Sequence, residues 1–513
     1  MQQPVRIYDV ITANLASQPS APALEYGDHR WTWTEMDDRI RRLAQALRDA
    51  GVEAGDRIAT LDKNNAACLE LTFAASLIGA VNAVVNFRLS PDEIRYVLDD
   101  SQAVLLFAGP DFVPIAAGLA AELPHLRRIV ALGGEDDEYE AFVAGADPLT
   151  EAFAADDDTA FLQLYTSGTT GRPKGAMLTH RSVGSHTARV APAYDMDART
   201  VNLVAMPLFH VGGTCWALGS MYAGGRTIVV RDLVPDQLLA LITGEQATHV
   251  FLVPAVIGML TQVPGIGEAF ASVKVLGYGG SPMPLPTAQA AVATFPSGLY
   301  SVYGMTEMSG TFCVLRPEDH RDADRPHLLG SAGRVIAGNE ARVVDPATGH
   351  DVPVGQPGEL LIRSEQIMSG YWRNPAATAA TITDGWLHTG DIVRIDEEGY
   401  VYVVDRAKDM LISGGENVYP AEVERVLTEH PDIAEVAVVG APHPTWGETP
   451  VAYVVPAPGR EIDPDALITY ARERLAHYKC PTSVVVLDAL PRNAMAKILK
   501  QPLRDRAEQL VNQ

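Results

Sequence analysis

The stretch that decides the fold lies at positions 165–175 and reads Tyr165-Thr-Ser-Gly-Thr-Thr-Gly-Arg-Pro-Lys-Gly175. Apolar runs lie on both sides of it, at Phe161–Tyr165 and Ala176–Leu178. Glycines let backbone N–H groups approach an anion closely, while the hydroxyl residues and Lys174 add donors and a positive charge. We therefore expect a loop between two strands that holds a polyphosphate.

The loop is not a P-loop, because that motif has the pattern G-x-x-x-x-G-K-[ST] and runs into a helix. Here Pro173 precedes the lysine, and apolar residues suited to a strand follow it. A flexible surface loop is the alternative interpretation of the glycines and hydroxyls when they are considered alone.

Size and composition indicate a globular protein with more than one domain. The chain has 513 residues, of which 47% are hydrophobic and 20% are charged. Its formal net charge of −24 argues against nucleic acid or an anionic membrane as a partner, because both attract basic surfaces. A phosphate ligand would then need local basic groups, and the candidates are Lys174, Arg406 and Lys497.

The sequence also predicts a cytoplasmic location. No apolar stretch approaches the roughly 18 residues of a membrane span, and we expect no secretory signal in the first residues. The four cysteines show neither disulfide nor zinc-ligand spacing, which favours free thiols in a reducing cytoplasm. They are Cys68, Cys215, Cys313 and Cys480.

Strand and helix patterns alternate over residues 1–100 and again over 202–302, which predicts βαβ units and a mostly parallel sheet. Ligands bind beyond the carboxyl ends of such strands. Candidate site residues therefore lie at Pro207–His210, Gly277–Pro282 and Tyr303–Glu307. The predicted strands of the second region are Asn202–Met206, Arg226–Val230, His249–Val253, Val273–Leu276 and Gly298–Val302.

Later in the chain, the pattern changes to short strands and then to a compact α+β pattern. We predict an α/β protein with a large N-terminal domain, residues 1–407, made of parallel-sheet subdomains and a small β-rich part. A small α+β C-terminal domain, residues 408–513, follows it. The boundary is placed at Lys408, because domain edges fall in polar stretches of this kind.

Thr306 and Glu307 form the first pair of candidate catalytic residues. A threonine hydroxyl can hold an α-phosphate oxygen, and a neighbouring carboxylate can hold Mg²⁺, which prefers oxygen ligands. Tyr303 lies just before them and could stack on a purine. For the Thr-Glu pair taken alone, an N-capped helix start is the alternative.

Two further candidates carry a weak signal when each is taken alone. Asp391 comes after what we interpret as a tight turn, Trp386–Gly390, and could receive ribose hydroxyls; a simple turn residue is the alternative. Lys497 could neutralise charge on a carboxylate and a phosphate in a transition state; a solvent-facing surface lysine is the alternative.

Taken together, these strings resemble the motifs of adenylate-forming enzymes, the superfamily of acyl-CoA synthetases, luciferases and adenylation domains. The resemblance covers nearly the whole chain and is closest to acyl-CoA ligases of the fatty-acid and 4-coumarate-like branch. The strings that carry it are Tyr165–Gly175, Met206–His210, Tyr303–Glu307, Thr389–Asp391, Asp405–Asp409, Ser413–Glu422 and the segment around Lys497.

The resemblance implies two half-reactions. A carboxylate first attacks the α-phosphorus of ATP, which gives acyl-AMP and pyrophosphate; the thiol of coenzyme A then displaces AMP. Lys497 would bridge the carboxylate and the α-phosphate in the first step. The small domain would then swing about Lys408 and exchange Lys497 for the face formed by Ser413, Gly414 and Gly415.

The resemblance also implies roles for individual residues. Thr306 would touch the α-phosphate, Glu307 would bind magnesium, Asp391 would bind the ribose hydroxyls, and Arg406 would support the nucleotide. The implied ligands of the β- and γ-phosphates are Thr166, Ser167, Gly168, Thr169, Thr170, Gly171 and Lys174, with Thr170 also at the magnesium ion. The implied acyl and adenine site comprises His210 at the acyl entrance, Val211, Gly212, Tyr278, Gly279, Gly280, Ser281, Val302 and Tyr303.

The sequence departs from the family pattern at two places. Ala496 replaces the usual glycine before the catalytic lysine, and Ser301-Val302 replaces the Gln-Gly of many relatives. The segments Val211–Thr214 and Tyr278–Ser281 hold no charged residue, which suits a roomy, apolar acyl cleft. We therefore expect a medium- or long-chain fatty acid or an aromatic acid rather than acetate or a dicarboxylate.

Two other functions remain open on the sequence alone. One is an acyl-AMP ligase that loads a free-standing carrier protein in place of coenzyme A. The other is a nucleotide-binding sensor without turnover, against which the intact Lys174, Glu307, Asp391 and Lys497 argue. The expected partner is a small-molecule carboxylic acid, and a homodimer is an open question.

Overall fold

A computed structural model of the chain describes residues 6–166, 172–406, 409–413, 416–443, 446–493 and 497–511. The chain divides into two compact units. The first comprises Met1–Glu340 and Ile362–Leu387, and the second comprises Ala341–Leu361 and His388–Gln513. The division into domains 1–407 and 408–513 remains a prediction, because Lys408 lies outside the described residues.

A nine-stranded sheet forms one half of the first unit. Its central strands are parallel, and antiparallel strands lie at both edges. A buried apolar cluster that includes Leu203, Phe270 and Leu276 packs against it. In spatial order its strands are Arg334–Val335, Gly310–Leu315, Gly298–Met305, Val275–Gly279, His249–Leu252, Val201–Val204, Arg226–Val229, Pro22–Tyr26 and His29–Thr32.

A seven-stranded sheet forms the other half of the first unit. Five of its strands are parallel, and two antiparallel strands extend it at one edge. That edge carries the hairpin around the predicted phosphate loop. In spatial order the strands are Gly370–Tyr371, Lys174–Thr179, Ala160–Thr166, Val81–Val84, Arg57–Leu61, Ala103–Ala108 and Arg128–Ala131. The two sheets confirm the predicted mostly parallel α/β architecture.

Local signals in the sequence set several helix ends. Ser90 and Glu93 form a capping box at the start of Pro91–Ser101. Every residue of Ala66–Ile78 is buried, in agreement with its mostly apolar composition. The α-helices of the first unit are Asp9–Ser17, Trp33–Asp49, Ala66–Ile78, Pro91–Ser101, Val113–Leu119, Tyr139–Ala144, His180–Ala193, Val211–Tyr222, Pro235–Gly244, Pro254–Leu260, Ile266–Ala269, Leu285–Thr294, Pro317–His320 and Pro375–Thr381. Short 3₁₀ helices are Ala120–Glu122, Thr306–Met308 and Pro326–Gly330.

Short strands and an α+β fold make up the rest of the chain. A five-stranded sheet comprises Glu340–Val344, Gly358–Arg363, Trp386–Ile395, Ile382–Thr383 and Val401–Arg406. A second five-stranded sheet comprises Glu416–Val418, Leu411–Ser413, Gly447–Pro456, Ile433–His443 and Ser483–Val486. The helices are Pro420–Thr428, Pro464–Arg472 and Lys500–Val511, with a 3₁₀ helix at His477–Lys479. These elements confirm the predicted small α+β C-terminal fold.

Two strands continue past their predicted ends, and one predicted turn is part of a strand, in each case because pairing with a neighbouring strand continues. The strand Gly298–Met305 includes Tyr303, which pairs with Cys313, so that only Thr306 and Glu307 follow the strand. The strand Val275–Gly279 includes two glycines that were predicted to follow it. Asp391 lies inside the strand Trp386–Ile395, opposite Arg406, and not after a tight turn.

No helix in the described part of the chain is both long and apolar enough to cross a membrane. The four cysteines are free thiols with buried side chains. Burial raises the pKa of the Cys68 thiol to about 12, which keeps it protonated and unreactive. These thiols therefore act as core residues.

Candidate active site

The hairpin predicted to hold phosphates is formed by the strands Ala160–Thr166 and Lys174–Thr179. Thr166 and Lys174 are paired across the hairpin and therefore stand at the two ends of the connecting loop. Ser167, Gly168, Thr169, Thr170 and Gly171, the other predicted phosphate ligands in this loop, lie outside the described residues. The structure thus fixes where the loop begins and ends.

The predicted magnesium ligand, Glu307, is a buried carboxylate with defined partners. It lies in the short helix Thr306–Met308, directly after the strand that carries Tyr303. Its Oε1 accepts a hydrogen bond of 2.7 Å from the Tyr371 hydroxyl, and its backbone oxygen accepts one of 2.9 Å from the Met368 N–H. The carboxylate is therefore held in one orientation.

Tyr371 connects the predicted magnesium ligand to the phosphate hairpin. The Nζ atom of Lys174 lies 5.0 Å from the centre of the Tyr371 ring, and the Thr166 side chain hydrogen-bonds to its hydroxyl. Burial, and then the charge of Glu307, raise the pKa of the Tyr371 phenol, so it stays protonated and donates to the carboxylate. Tyr371 thus brings Thr166, Lys174 and Glu307 together.

The sequence prediction missed Tyr371. It lies in the short edge strand Gly370–Tyr371, which pairs with Lys174–Thr179, and Trp372 follows it directly. Two adjacent aromatic residues after a glycine, in a polar region, were the available signal. Nothing local indicates that the phenol reaches a carboxylate 64 residues earlier in the chain.

This donor set fits magnesium that arrives with ATP. Among the residues that the structure describes, no group of three or more His, Cys, Asp or Glu side chains could hold a metal ion by itself. Protein-bound Mg²⁺ commonly uses one or two carboxylates together with phosphate oxygens and water. Glu307 supplies one such carboxylate; Thr170, the other predicted ligand, lies outside the described residues. A magnesium ion bound there would neutralise charge on the phosphates.

The predicted acyl entrance begins at His210, the N-cap residue of the helix Val211–Tyr222. Its Nδ1 accepts a hydrogen bond of 3.0 Å from the Gly212 N–H, so the neutral ring carries its proton on Nε2. Burial, assisted by the charge of Arg88, lowers the pKa of the imidazole. His210 is therefore a neutral residue at the start of a helix, next to the buried Val211.

Tyr278 and its partners make the next part of the predicted acyl site neutral as well. The Tyr278 hydroxyl lies 2.8 Å from Nε2 of His320, whose Nδ1 donates to the Arg316 carbonyl at 2.7 Å. That donation leaves Nε2 as an acceptor, so Tyr278 donates to it. Burial lowers the pKa of His320 to about 4, which keeps this pair uncharged at neutral pH.

An aromatic wall lies beside the strand that carries Tyr278. A Cβ atom added to Gly277 would lie 2.8 Å from the Phe251 ring and 3.3 Å from the Trp216 ring. These two rings are 5.3 Å apart. The neighbouring Gly279 is buried against the backbone of Val302, whereas Gly280 and Ser281 are exposed. The absence of a side chain at Gly277 and Gly279 therefore allows this close packing, because a Cβ at either position would clash with its neighbours.

In the second unit, the predicted ribose ligand Asp391 forms an ion pair. Its Oδ1 lies 2.7 Å from Nε of Arg406, and the carboxylate is almost fully buried. Glu359 supports the adjoining backbone by accepting a hydrogen bond of 3.2 Å from the Gly390 N–H. Gly390 itself has a φ of +65°, which a side chain would strain. The structure thus joins the two predicted nucleoside residues of this unit.

Lys497 is exposed on a short loop of the second unit. Its N–H donates to Oδ1 of Asn493 at 2.9 Å, and its carbonyl accepts from the Asn493 N–H at the same distance. These two bonds fix the backbone at Lys497. The preceding residue, Ala496, lies outside the described residues, as do Lys408, Gly414 and Gly415.

Ser413, from the predicted thioester face, lines a cavity of about 170 Å³ in the second unit. Its walls combine exposed aromatic rings, a guanidinium and hydroxyl groups. They are contributed by Ser413, Trp446, Thr449, Arg472, His477, Tyr478, Cys480, Pro481 and Thr482.

Known families match both units. The sequence model of the AMP-binding enzyme family matches residues 11–372, and that of the AMP-binding enzyme C-terminal domain matches residues 422–497. The chain belongs to the AMP-binding enzyme family. It is an AMP-forming acid–thiol ligase, an acyl-CoA synthetase that uses ATP, Mg²⁺ and coenzyme A.

Similar AMP-binding enzymes cover nearly the full chain. A feruloyl-CoA synthase of an Amycolatopsis species is 40% identical over 499 residues, which cover 95% of this chain and 96% of the relative. A fatty acid–[acyl-carrier-protein] ligase of Streptomyces coeruleorubidus is 37% identical over 494 residues, which cover 95% and 94%. The o-succinylbenzoate CoA synthetase of Bacillus subtilis, solved with its acyl-adenylate, superposes with a TM-score of 0.85 at 30% identity and covers 97% of this chain and 98% of its own.

Proposed function

We propose that this AMP-binding enzyme activates a fatty or aromatic carboxylic acid, and that an arylpropenoate of the ferulate type is its preferred substrate. The observation that carries this proposal is that the titratable residues predicted to line the acyl site are neutral. His210 and the Tyr278–His320 pair are neutral, and the rings of Trp216 and Phe251 pack against Gly277, on the strand that carries Tyr278. Such a lining suits an apolar, flat acid better than a dicarboxylate. The identity to a feruloyl-CoA synthase supports the same choice.

In the first half-reaction, the residues of the phosphate hairpin and Glu307 position ATP. Lys174 attracts the β- and γ-phosphates, and Glu307, held by Tyr371, orients the magnesium ion. Thr306 contacts the α-phosphate. Lys497 neutralises the charge shared by the attacking carboxylate and the α-phosphate as the bond to pyrophosphate breaks. Tyr303 stacks on the adenine, and Gly279 to Ser281 adjoin it.

Asp391 receives the ribose hydroxyls, and Arg406 holds that carboxylate in place. For the second half-reaction we assign coenzyme A to the cavity at Ser413. Trp446 and Tyr478, each 38% exposed, offer rings on which an adenine can stack, and Arg472 offers a charge for phosphates. Rotation about Lys408 exchanges Lys497 for this face.

Pyrophosphate release with a panel of acids tests the proposed substrate class. The panel contains ferulate, 4-coumarate, benzoate, a medium- and a long-chain fatty acid, acetate and malonate. We expect arylpropenoates to give the highest kcat/KM and acetate and malonate the lowest. A clear preference for acetate or malonate would contradict the proposed substrate class, and a preference for the fatty acids would contradict the choice of an arylpropenoate within it.

Loading of a carrier protein is the second candidate, because a fatty acid–[acyl-carrier-protein] ligase is among the similar proteins. The two acceptors are compared by AMP release from enzyme-bound acyl-AMP, with coenzyme A in one arm and a phosphopantetheinylated carrier protein in the other. We expect release with coenzyme A at low concentration. Release with the carrier protein alone would assign the enzyme to the second class.

We also propose a cytoplasmic enzyme that works as a monomer or a homodimer. The four buried free thiols support a reducing compartment. Fractionation of the source cells tests the location, and light scattering of the purified protein measures the assembly. Recovery in a secreted fraction would contradict the proposed location.

A further inference from the structure

Arg57 is an unusual buried cation behind the phosphate hairpin. It begins the strand Arg57–Leu61 and is only 9% exposed. Its guanidinium donates to neutral atoms: to the Gly55 carbonyl at 2.5 Å and, over a long 3.5 Å, to Oε1 of Gln163. Burial lowers its pKa to about 10. A neutral side chain would avoid the cost of burying this charge, so the position of the guanidinium calls for a reason.

Trp372 is the main partner of this guanidinium. The Cζ atom of Arg57 lies 3.2 Å from the centre of the Trp372 ring, which is a direct stack. The indole is held at its edge as well, because its Nε1–H donates to the Asp100 carbonyl at 2.9 Å. The Trp372 N–H donates to the Gly175 carbonyl at 2.7 Å. Trp372 is thus fixed at its ring face, its ring edge and its backbone.

The residue before Trp372 is Tyr371, which holds Glu307 and lies against Lys174. A rotation or shift of Trp372 would move Tyr371, because the two share a peptide bond. The stack of Trp372 on Arg57 therefore helps to set the distance between the Glu307 carboxylate and the Lys174 ammonium group, both of which we assign to ATP binding.

The start of the phosphate loop is tied to the same cluster. The Tyr165 hydroxyl donates to Oδ2 of Asp100 at 2.7 Å and accepts from Nε2 of Gln163 at 2.9 Å. On the far side of the loop, the Tyr96 hydroxyl donates to the Pro173 carbonyl at 3.2 Å. Asp100 therefore contacts both the loop entry, through Tyr165, and the aromatic segment, through Trp372.

We propose that Arg57 is a positioning residue for the triphosphate of ATP, acting through Trp372 and Tyr371 on Glu307 and Lys174. It touches no substrate atom. The role rests on the nucleotide contacts proposed above for Glu307 and Lys174. Because the adenine, the ribose and the α-phosphate have other ligands, Arg57 affects the binding of the β- and γ-phosphates and of magnesium selectively.

Equilibrium binding of Mg·ATP and of AMP, without any acid, tests this role. AMP lacks the β- and γ-phosphates, so it reports the rest of the nucleotide site. We expect Arg57→Met to weaken the binding of Mg·ATP by about 10-fold and the binding of AMP by less than about 2-fold. A loss of about 10-fold lies in the lower part of the range for residues that orient a metal ligand without touching the metal. Arg57→Lys keeps the charge but not the planar stack, and should fall between the wild type and Arg57→Met.

Arg39→Met is the matched control. Arg39 also lies over an indole, with its Cζ 5.0 Å from the Trp31 ring, and it is paired with Glu70 away from the hairpin. This variant should change the unfolding midpoint and leave both nucleotide affinities unchanged. Equal weakening of AMP and Mg·ATP in Arg57→Met, or no weakening of either, would overturn the proposal.

Two further measurements keep the test decisive. If Arg57→Met does not fold, Trp372→Phe, which removes the Nε1–H, takes its place with the same expected selectivity and the same overturning result. The acid panel is measured separately on the wild type. Absence of pyrophosphate release with every acid would reject the proposed substrate class, while the comparison of Mg·ATP with AMP would still decide the role of Arg57.

Discussion

The phosphate side and the acyl side of the first unit are held together by different kinds of contact. On the phosphate side, Lys174, Glu307 and Tyr371 are linked by charge and by hydrogen bonds of defined length. On the acyl side, His210 and Tyr278 are kept neutral by burial and by local hydrogen bonds. Charge complementarity specifies one ligand chemistry, whereas an uncharged lining accepts acids that share only shape and polarity. The contacts around Glu307 and Lys174 therefore specify the nucleotide more narrowly than the neutral residues at His210 and Tyr278 specify the acid.

Lys497→Ala is the change with the largest expected effect, because it removes the charge that we propose stabilises the adenylation transition state. We expect adenylation to slow by about 10²–10³-fold, the usual cost of one such group. Thioester formation from supplied acyl-AMP should be nearly unchanged. Quench-flow assays of the two half-reactions measure both rates, and equal losses in both would refute a role confined to adenylation.

Tyr371→Phe should break the link between Glu307, the proposed magnesium ligand, and the hairpin at residues 160–179. Without the 2.7 Å bond, the Glu307 carboxylate is free to rotate, so we expect kcat/KM for ATP to fall by about 10-fold and the half-saturating Mg²⁺ concentration to rise. The KM for the acid should stay within about 2-fold.

Tyr139→Phe is the control for that change, since Tyr139 donates to Glu70 at the same distance of 2.7 Å away from the hairpin. It should lower stability without altering the ATP or Mg²⁺ dependence. Wild-type magnesium dependence in the Tyr371→Phe enzyme would show that the Tyr371 hydroxyl does not position Glu307 for magnesium.

Acidification should destabilise the acyl side through His320. Burial lowers its pKa to about 4 from an ordinary value of 6.5, so between these values the unfolded chain binds a proton that the folded protein excludes. The contribution of His320 to the free energy of unfolding is fully present above pH 6.5. It falls by about 1.4 kcal/mol per pH unit as the pH drops from 6.5 toward 4. Urea unfolding at pH 7 and pH 5 should show His320→Gln losing about 2 kcal/mol less than the wild type over that interval. Identical losses in the two proteins would show that His320 does not stay neutral.

The smallest expected effect comes from the helix cap at His210. His210→Ala removes the acceptor for the Gly212 N–H and should cost about 1 kcal/mol of unfolding free energy. His210→Asn can replace the cap and should restore stability, while both variants raise the KM for the acid and leave the KM for ATP unchanged. A changed KM for ATP would show that His210 also affects the binding of the nucleotide.

Local signals in the sequence were sufficient for the elements whose ends are set locally. The hairpin around Tyr165–Gly175 is confirmed, and the apolar composition of Ala66–Ile78 and the cap of Pro91–Ser101 account for those two helices. The predicted family of the chain is confirmed as well. It could be predicted from the sequence because its motifs are short contiguous segments. Strand ends were less predictable: Gly298–Met305 and Trp386–Ile395 are extended by pairing with other strands, which no local pattern records.

The contacts that organise the phosphate side could not be predicted, because they join residues far apart in sequence. Tyr371 reaches Glu307 over 64 residues, and Arg57 contacts Trp372, which follows an edge strand far along the chain. Neither contact leaves a periodic or compositional pattern. The role of Lys408 as a hinge remains a prediction.

Accumulation of enzyme-bound acyl-AMP from ferulate and Mg·ATP, before and after coenzyme A is added, tests the central claim most directly. We predict that, without coenzyme A, about one acyl-AMP and one pyrophosphate form per chain, and that coenzyme A then converts this acyl-AMP to feruloyl-CoA and AMP. Formation of ADP, or thioester synthesis without a preceding acyl-AMP, would contradict the account.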